Sequence, residues 1–244
     1  MVESFKITAN KLKRILKISI YLPKGYHSSD KEYPLLLAFD GQLLFNFLNE
    51  QTMEMDMTSI LDSLNKEVIC ISLQAPKIEE WRISELNPYY NGNNNAVDTS
   101  LSEIFFEYVI YDLLPLLKQR YRINAQKYIL GFGASAIAAL YMVYKYPLFD
   151  GAGLFSPDLI NCNENVFIDI ENNFNPQKPI FLYHGSKDTD TKFDNLYYKL
   201  FTMFQKLECE DFKSAYESYL GNSSEAWNIH LADFIKFIIP NINN

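Results

Sequence analysis

The tightest constraint on this chain is the stretch Tyr128-Ile129-Leu130-Gly131-Phe132-Gly133-Ala134-Ser135-Ala136-Ile137-Ala138-Ala139-Leu140-Tyr141. It passes from a buried apolar run, through a turn of small residues only, into an Ala- and Leu-rich run of helical character. That is the form of a nucleophile elbow, in which the tip residue sits on a strained strand-to-helix turn and its neighbours two before and two after must be small. With Gly131 and Ser135 as the flanking pair, the tip is Gly133, which has no side chain to attack anything. Centring the elbow on Ser135 instead would place β-branched Ile137 where a small residue is needed, and would push the turn into a segment that reads as helix. The first register is preferred on these grounds, and in it Ser135 is a first-turn residue bonding free backbone N–H groups.

The rest of the chain alternates between strand and helix patterns. Phe5 to Leu22 reads as two antiparallel strands at one edge of a sheet, closed by Pro23 and Gly25. Tyr33 to Phe39 is a continuous apolar run ending in Asp40-Gly41-Gln42, as expected of a buried parallel strand entering a turn. A helix over Met53 to Leu64, a strand over Val68 to Leu73, a polar irregular stretch from Gln74 to Ser100 and a long helix from Leu101 to Arg120 lead to the elbow. Beyond it come a strand at Gly151 to Phe155, one at Pro179 to His184, a helix over Phe193 to Leu207, a strand around Ala215 to Leu220 and a closing helix from Glu225 to Ile239. This alternation predicts an α/β fold, a mostly parallel central sheet with helices on both faces, whose site lies at the carboxyl ends of the strands.

With 244 residues, 48% of them hydrophobic and 21% charged, and with no linker or repeat, one domain spanning residues 1–244 is expected. No apolar run is long enough to span a bilayer and the first residues lack a secretory pattern, so the expectation is a soluble, cytoplasmic protein without a membrane partner. A formal net charge of -8 argues against nucleic acid as a partner. Cys70, Cys162 and Cys209 have neither disulfide-framework nor metal-ligand spacing, so no metal and no cofactor is expected. Oligomeric state is not legible.

Several signatures in order together resemble the putative esterase family of the α/β-hydrolase fold, which includes esterase D and the enterochelin esterases. They are Leu22-Pro23-Lys24-Gly25-Tyr26, Tyr33-Pro34 running to Asp40-Gly41-Gln42, Arg82 with Glu85-Leu86-Asn87-Pro88, Leu113-Leu114-Pro115 before Tyr121-Arg122, the elbow with Tyr146-Pro147, Phe155-Ser156-Pro157, Gly185-x-x-Asp188, and Gly221 followed by Trp227. The resemblance implies an α/β-hydrolase fold, a carboxylic-ester hydrolase ancestry and a Ser, acid, His triad. Carried over position by position, the serine falls on Gly133, the acid on Asp188 and the histidine on Asn222, with Ser223 beside it.

Acyl transfer needs a nucleophile, a base to take its proton, a group orienting the base, and N–H donors for the oxyanion. Glycine cannot be the first, and the amide of asparagine does not titrate near neutral pH. The expectation is therefore a family member without an intact triad that binds a small ligand or a protein. The backbone amides of Gln42 and Ala134 are the candidate oxyanion donors, with Ser135, Trp81, Tyr89, Tyr90, Arg82 and Ser156 around them and Glu85 as a partner for Arg82. The alternative is a weak or unconventional ester hydrolase using Ser135 or Ser156 with His184, the one histidine at a strand's carboxyl end; His27 reads as a loop residue and His230 as a helix-face residue.

Overall fold

The computed structural model describes residues 1–45, 55–90, 100–186, 191–217, 221 and 223–239. Its centre is an eight-stranded sheet of strands β1 (Val2–Ala9), β2 (Arg14–Tyr21), β3 (Tyr33–Phe39), β4 (Ile69–Leu73), β5 (Ile123–Phe132), β6 (Gly151–Phe155), β7 (Ile180–Gly185) and β8 (Phe212–Glu217), in the spatial order β1-β2-β4-β3-β5-β6-β7-β8. The first two strands pair antiparallel, β2 joins β4 antiparallel, and β3 to β8 run parallel. This is an α/β-hydrolase fold.

The apolar run of β3 explains its central place. Tyr33, Leu35, Leu37 and Phe39 point into one core cluster while Leu36 and Ala38 point into the other, so both faces of the strand need cover. One face is covered by α3 (Ser100–Glu107), α4 (Leu114–Arg120), α5 (Ala134–Lys145), α6 (Asn165–Asn173) and α7 (Thr191–Lys206), through residues such as Phe105, Leu117, Ile137, Val166 and Leu200. The other is covered by α1 (Met57–Ser63) and α8 (Ser224–Ile238), through Leu61, Leu231, Phe234 and Ile238.

The sequence pattern is corrected at three places. The stretch read as irregular after β4 contains a helix, α2 (Glu79–Leu86), polar overall because it buries little beyond Ser84, Glu85 and Leu86. A second helix absent from the pattern, α6, follows the exit turn of β6. The expected long helix at 101–120 is instead α3, a π-helical segment over Tyr108–Leu113, and α4. Pro115 in the first turn of α4 explains the π segment: a proline inside a regular helix lacks an N–H and collides with the carbonyl four residues back, and a widened turn relieves both. Among the described residues no helix is long and apolar enough to cross a membrane.

Candidate functional site

The turn from β5 into α5 is built by steric exclusion. A β-carbon on Gly131 would stand 2.0 Å from the carbonyl oxygen of Ser135 and 2.3 Å from its carbonyl carbon, so strand and helix close only over a glycine. Gly133, at φ 59° and ψ -118°, is the residue between the last of β5 and the first of α5. It holds the left-handed backbone that a side-chain-bearing residue adopts only under strain. Among the described residues, nothing lies within 4 Å of the point where its β-carbon would be. Backbone bonds pin it there: its amide donates to Phe155 (2.9 Å), and its carbonyl accepts from Ala136 (3.1 Å) and Asp158 (3.2 Å).

Beside the tip, a buried ion pair holds the carboxyl end of β3. Arg82 of α2 grips Asp40 with two hydrogen bonds, 2.9 Å from Nε and 2.6 Å from Nη2, and Nη2 also reaches the carbonyl of Phe132 at 3.4 Å. Burial pulls the Arg82 pKa down and the bonds to Asp40 pull it up, with a net rise, so the guanidinium stays charged. Asp40 is 1% exposed and sits at φ 53°. It also accepts from Gln42 Nε2 at 3.0 Å, while Gln42 Oε1 accepts from the Ala75 amide at 3.1 Å. Gln42 lies in a 3-10 turn and Ala134 opens α5, positions whose N–H groups have no partner within their own turn of helix. Both stand at the ends of neighbouring strands, β3 and β5.

On the other side of the tip, Trp227 of α8 donates from Nε1 to Ser156 Oγ at 2.9 Å and lays its ring 5.2 Å from that of Phe132. Ser156 is 3% exposed, at φ 49°, with its amide on the Tyr183 carbonyl. The end of β7 also meets Gly221. A β-carbon on Gly185 would lie 1.9 Å from the Gly221 carbonyl oxygen, and Tyr183 donates its hydroxyl to that same oxygen at 3.1 Å. Asp188 and Asn222 lie outside the described residues, whereas Ser223 is the N-cap of α8, accepting from the Ala226 amide.

The remaining candidates are engaged elsewhere. Ser135 is fully buried; its Oγ accepts from the Phe132 amide at 2.7 Å and donates to the Phe132 carbonyl at 3.0 Å. His184 is 1% exposed, bonded through Nε2 to Asp194 of α7 at 2.8 Å and stacked on Tyr197, ring centroids 4.3 Å apart. Burial lowers its pKa, against the opposing pull of Asp194. Glu85 does not pair with Arg82, although i,i+3 spacing sets the two side by side on the helix: its carboxylate takes two hydrogen bonds from Arg14 of β2, while Arg82 is held by Asp40. Trp81 is 62% exposed on α2, Tyr89 is buried with its hydroxyl on Asp169, and Tyr90 makes an isolated bridge to Cys162. His27 is exposed in a turn, and His230 faces Glu217 and the ring of Tyr183.

The residues that sequence reasoning passed over are Asp40, as the partner of Arg82, and Trp227, as the partner of Ser156. Asp40 had a signal: an aspartate between a buried strand and Gly41 tolerates a left-handed backbone and is poised to accept a bond. Among the described residues, no group of three or more His, Cys, Asp or Glu side chains is arranged to hold a metal ion.

The sequence profile of the family described as Putative esterase matches residues 9–237. The chain belongs to that family. Solved structures share the fold of this esterase-family chain at low identity. An IroE-like serine hydrolase from Shewanella oneidensis is 19% identical with a TM-score of 0.80, over 96% of this chain and 78% of that one. The BES protein from Bacillus cereus is 18% identical with a TM-score of 0.79, over 98% and 96%. The enterobactin esterase FES from Shigella flexneri, solved with enterobactin, is 15% identical with a TM-score of 0.74, over 96% and 57%. No curated protein sequence matches the chain.

Proposed function

We propose that this esterase-family protein binds a small carbonyl- or carboxylate-bearing ligand at the elbow and does not hydrolyse it through a Ser-His-acid triad. One observation carries the reading: Gly133 holds the positive-φ tip of the elbow between β5 and α5, with no side chain to act as nucleophile. The first-turn amides of Gln42 and Ala134 provide the binding half of an acyl-transfer site. Removing the serine of a hydrolase typically costs about a million-fold in turnover, leaving what oxyanion donors and binding supply.

The rival reading, hydrolysis by Ser135 or Ser156 with His184, is disfavoured by the bonds those groups already make. Both acceptor and donor capacity of the Ser135 hydroxyl go to Phe132, Ser156 is held by Trp227, and His184 is turned to Asp194. The deciding experiment is incubation of the protein with a fluorophosphonate probe and with a small activated ester. No covalent adduct and no turnover above buffer is the expected outcome. Labelling that disappears in Ser135→Ala or Ser156→Ala would reinstate the rival.

A further inference from the structure

Away from the elbow, α6 and α7 leave a cleft of about 630 Å³ between them. The helices run in the same direction: Lys199 bonds Glu164 at the start of α6 (2.6 Å), while Phe174 at the end of α6 meets Phe204 near the end of α7, ring centroids 6.5 Å apart. Phe167 forms the floor, with the Lys199 Nζ 3.8 Å over its ring. Large apolar groups stand on both walls with half their surface in solvent, Ile168 at 50% and Tyr198 at 54%. Each helix carries charges of one sign along this cleft, about two turns apart: Glu164 and Glu171 on the α6 side, Lys199 and Lys206 on α7.

This pattern complements itself under one symmetry operation. A two-fold axis lying in the face and running along the helices sets α6 of one copy against α7 of the next, in the same direction and at the same level. Acidic positions then meet basic ones at both ends, and the exposed apolar groups Ile168 and Tyr198 of each copy are covered by the opposing helices. An axis across the helices would set α6 on α6, acid against acid. In a two-fold interface each contact occurs twice, so a single complementary pairing is doubled.

We propose that the α6–α7 cleft is the contact surface of a homodimer whose two-fold axis runs along these helices. A second copy is favoured over another occupant because the charges are arranged to match themselves. The interface buries the two largest exposed apolar groups of the cleft and keeps its ionic pairs at the rim, the usual division of a protein interface.

The test is sedimentation velocity of the full chain over a concentration series up to about 100 μM, a range that spans the affinities of weak homodimers. The wild type should shift from monomer to dimer within that series, and Tyr198→Glu should abolish the shift. Glu171→Lys and Lys206→Glu, both at exposed positions, should each weaken the dimer by about tenfold, since each turns two symmetry-related attractions into repulsions. An equimolar mixture of these two charge variants should regain the dimer, because each brings the charge the other lacks. Circular dichroism melts verify that every variant is folded. A wild type that stays monomeric throughout overturns the proposal and leaves the cleft to a foreign helix or a small ligand. So does a dimer indifferent to the charge variants, or a mixture no better associated than its components.

Discussion

The carbonyl of Ser135 occupies the space that a β-carbon on Gly131 would need, with only 2.0 Å between the two positions. Both atoms of that carbonyl belong to backbone, so the conflict cannot be relieved by rotating a side chain. Gly131→Ala should therefore force the first turn of α5 away from β5 and cost about 3 kcal/mol or more, at the upper end of overpacking penalties. Gly133→Ala meets no atom of the described residues and should cost chiefly its positive-φ backbone, about 1–3 kcal/mol. Urea unfolding of the two variants measures the difference. Equal losses would mean that the elbow does not close over Gly131 in solution.

A restoration experiment asks whether the site is merely disarmed. Gly133→Ser with Asn222→His, in a chain that retains Asp188, should hydrolyse a small activated ester above the parent and above either single change. Each single variant should do little, since triad members act as a unit and their effects are far from additive. Because Ser135 stands where the usual motif has glycine, a third variant adding Ser135→Gly belongs in the same assay. Folded double and triple variants at background would mean that the region serves something other than ester chemistry.

Arg82 is the third target. Its guanidinium is the cation bonded to Asp40, a carboxylate that is 1% exposed. Arg82→Ala should destabilise the protein by about 3 kcal/mol, the cost typical of stranding one member of a buried pair. Adding Asp40→Asn to that variant should recover part of the loss, because the stranded charge is removed with it. A double-mutant cycle in urea reads the coupling directly, and additive losses would show that Asp40 finds another partner.

The fourth expectation concerns acid. His184 is buried against Phe193, Tyr197 and Tyr216, with the Asp194 carboxylate on Nε2 and, among the described residues, no hydrogen-bond partner on Nδ1. Burial places its folded pKa below the usual 6.5, Asp194 opposing. The unfolded chain therefore takes up a proton first as pH falls. His184 contributes its full stability above 6.5 and loses it as pH drops through the folded value. Thermal melts from neutral pH down to about 5, just under the ordinary histidine range, should show a steeper decline for the wild type than for His184→Phe, which keeps the ring stack without a titrating group. Parallel declines would assign the acid sensitivity to other groups.

How much of this was legible before the fold was seen depends on what each residue's signal rests on. The β3 run and the elbow were readable because burial on both faces and a run of small residues leave few alternatives. The partner of Arg82 was not, because Glu85 at i,i+3 is the acid that sequence spacing offers, whereas Asp40, just past β3, comes near only in the fold. It is the tertiary placement of α2 between the ends of β2 and β3, invisible in the sequence, that gives Arg82 to Asp40 and Glu85 to Arg14. α6 went unread for a related reason: it buries Val166, Phe167 and Ile170, but its exposed Ile168 blurs the apolar stripe and it is rich in asparagine.

The backbone of Gly133 also bears on how such a site changes over generations. A serine held at that left-handed tip carries a strain of about 1–2 kcal/mol that a glycine does not. A chain that exchanges serine for glycine there gains robustness at the moment it gives up its nucleophile, so the substitution can spread on folding advantage alone. The reverse step must be taken uphill, against stability and before any base is in place to reward it. On the proposed reading, glycine at this tip acts as a ratchet, easy to enter and hard to leave.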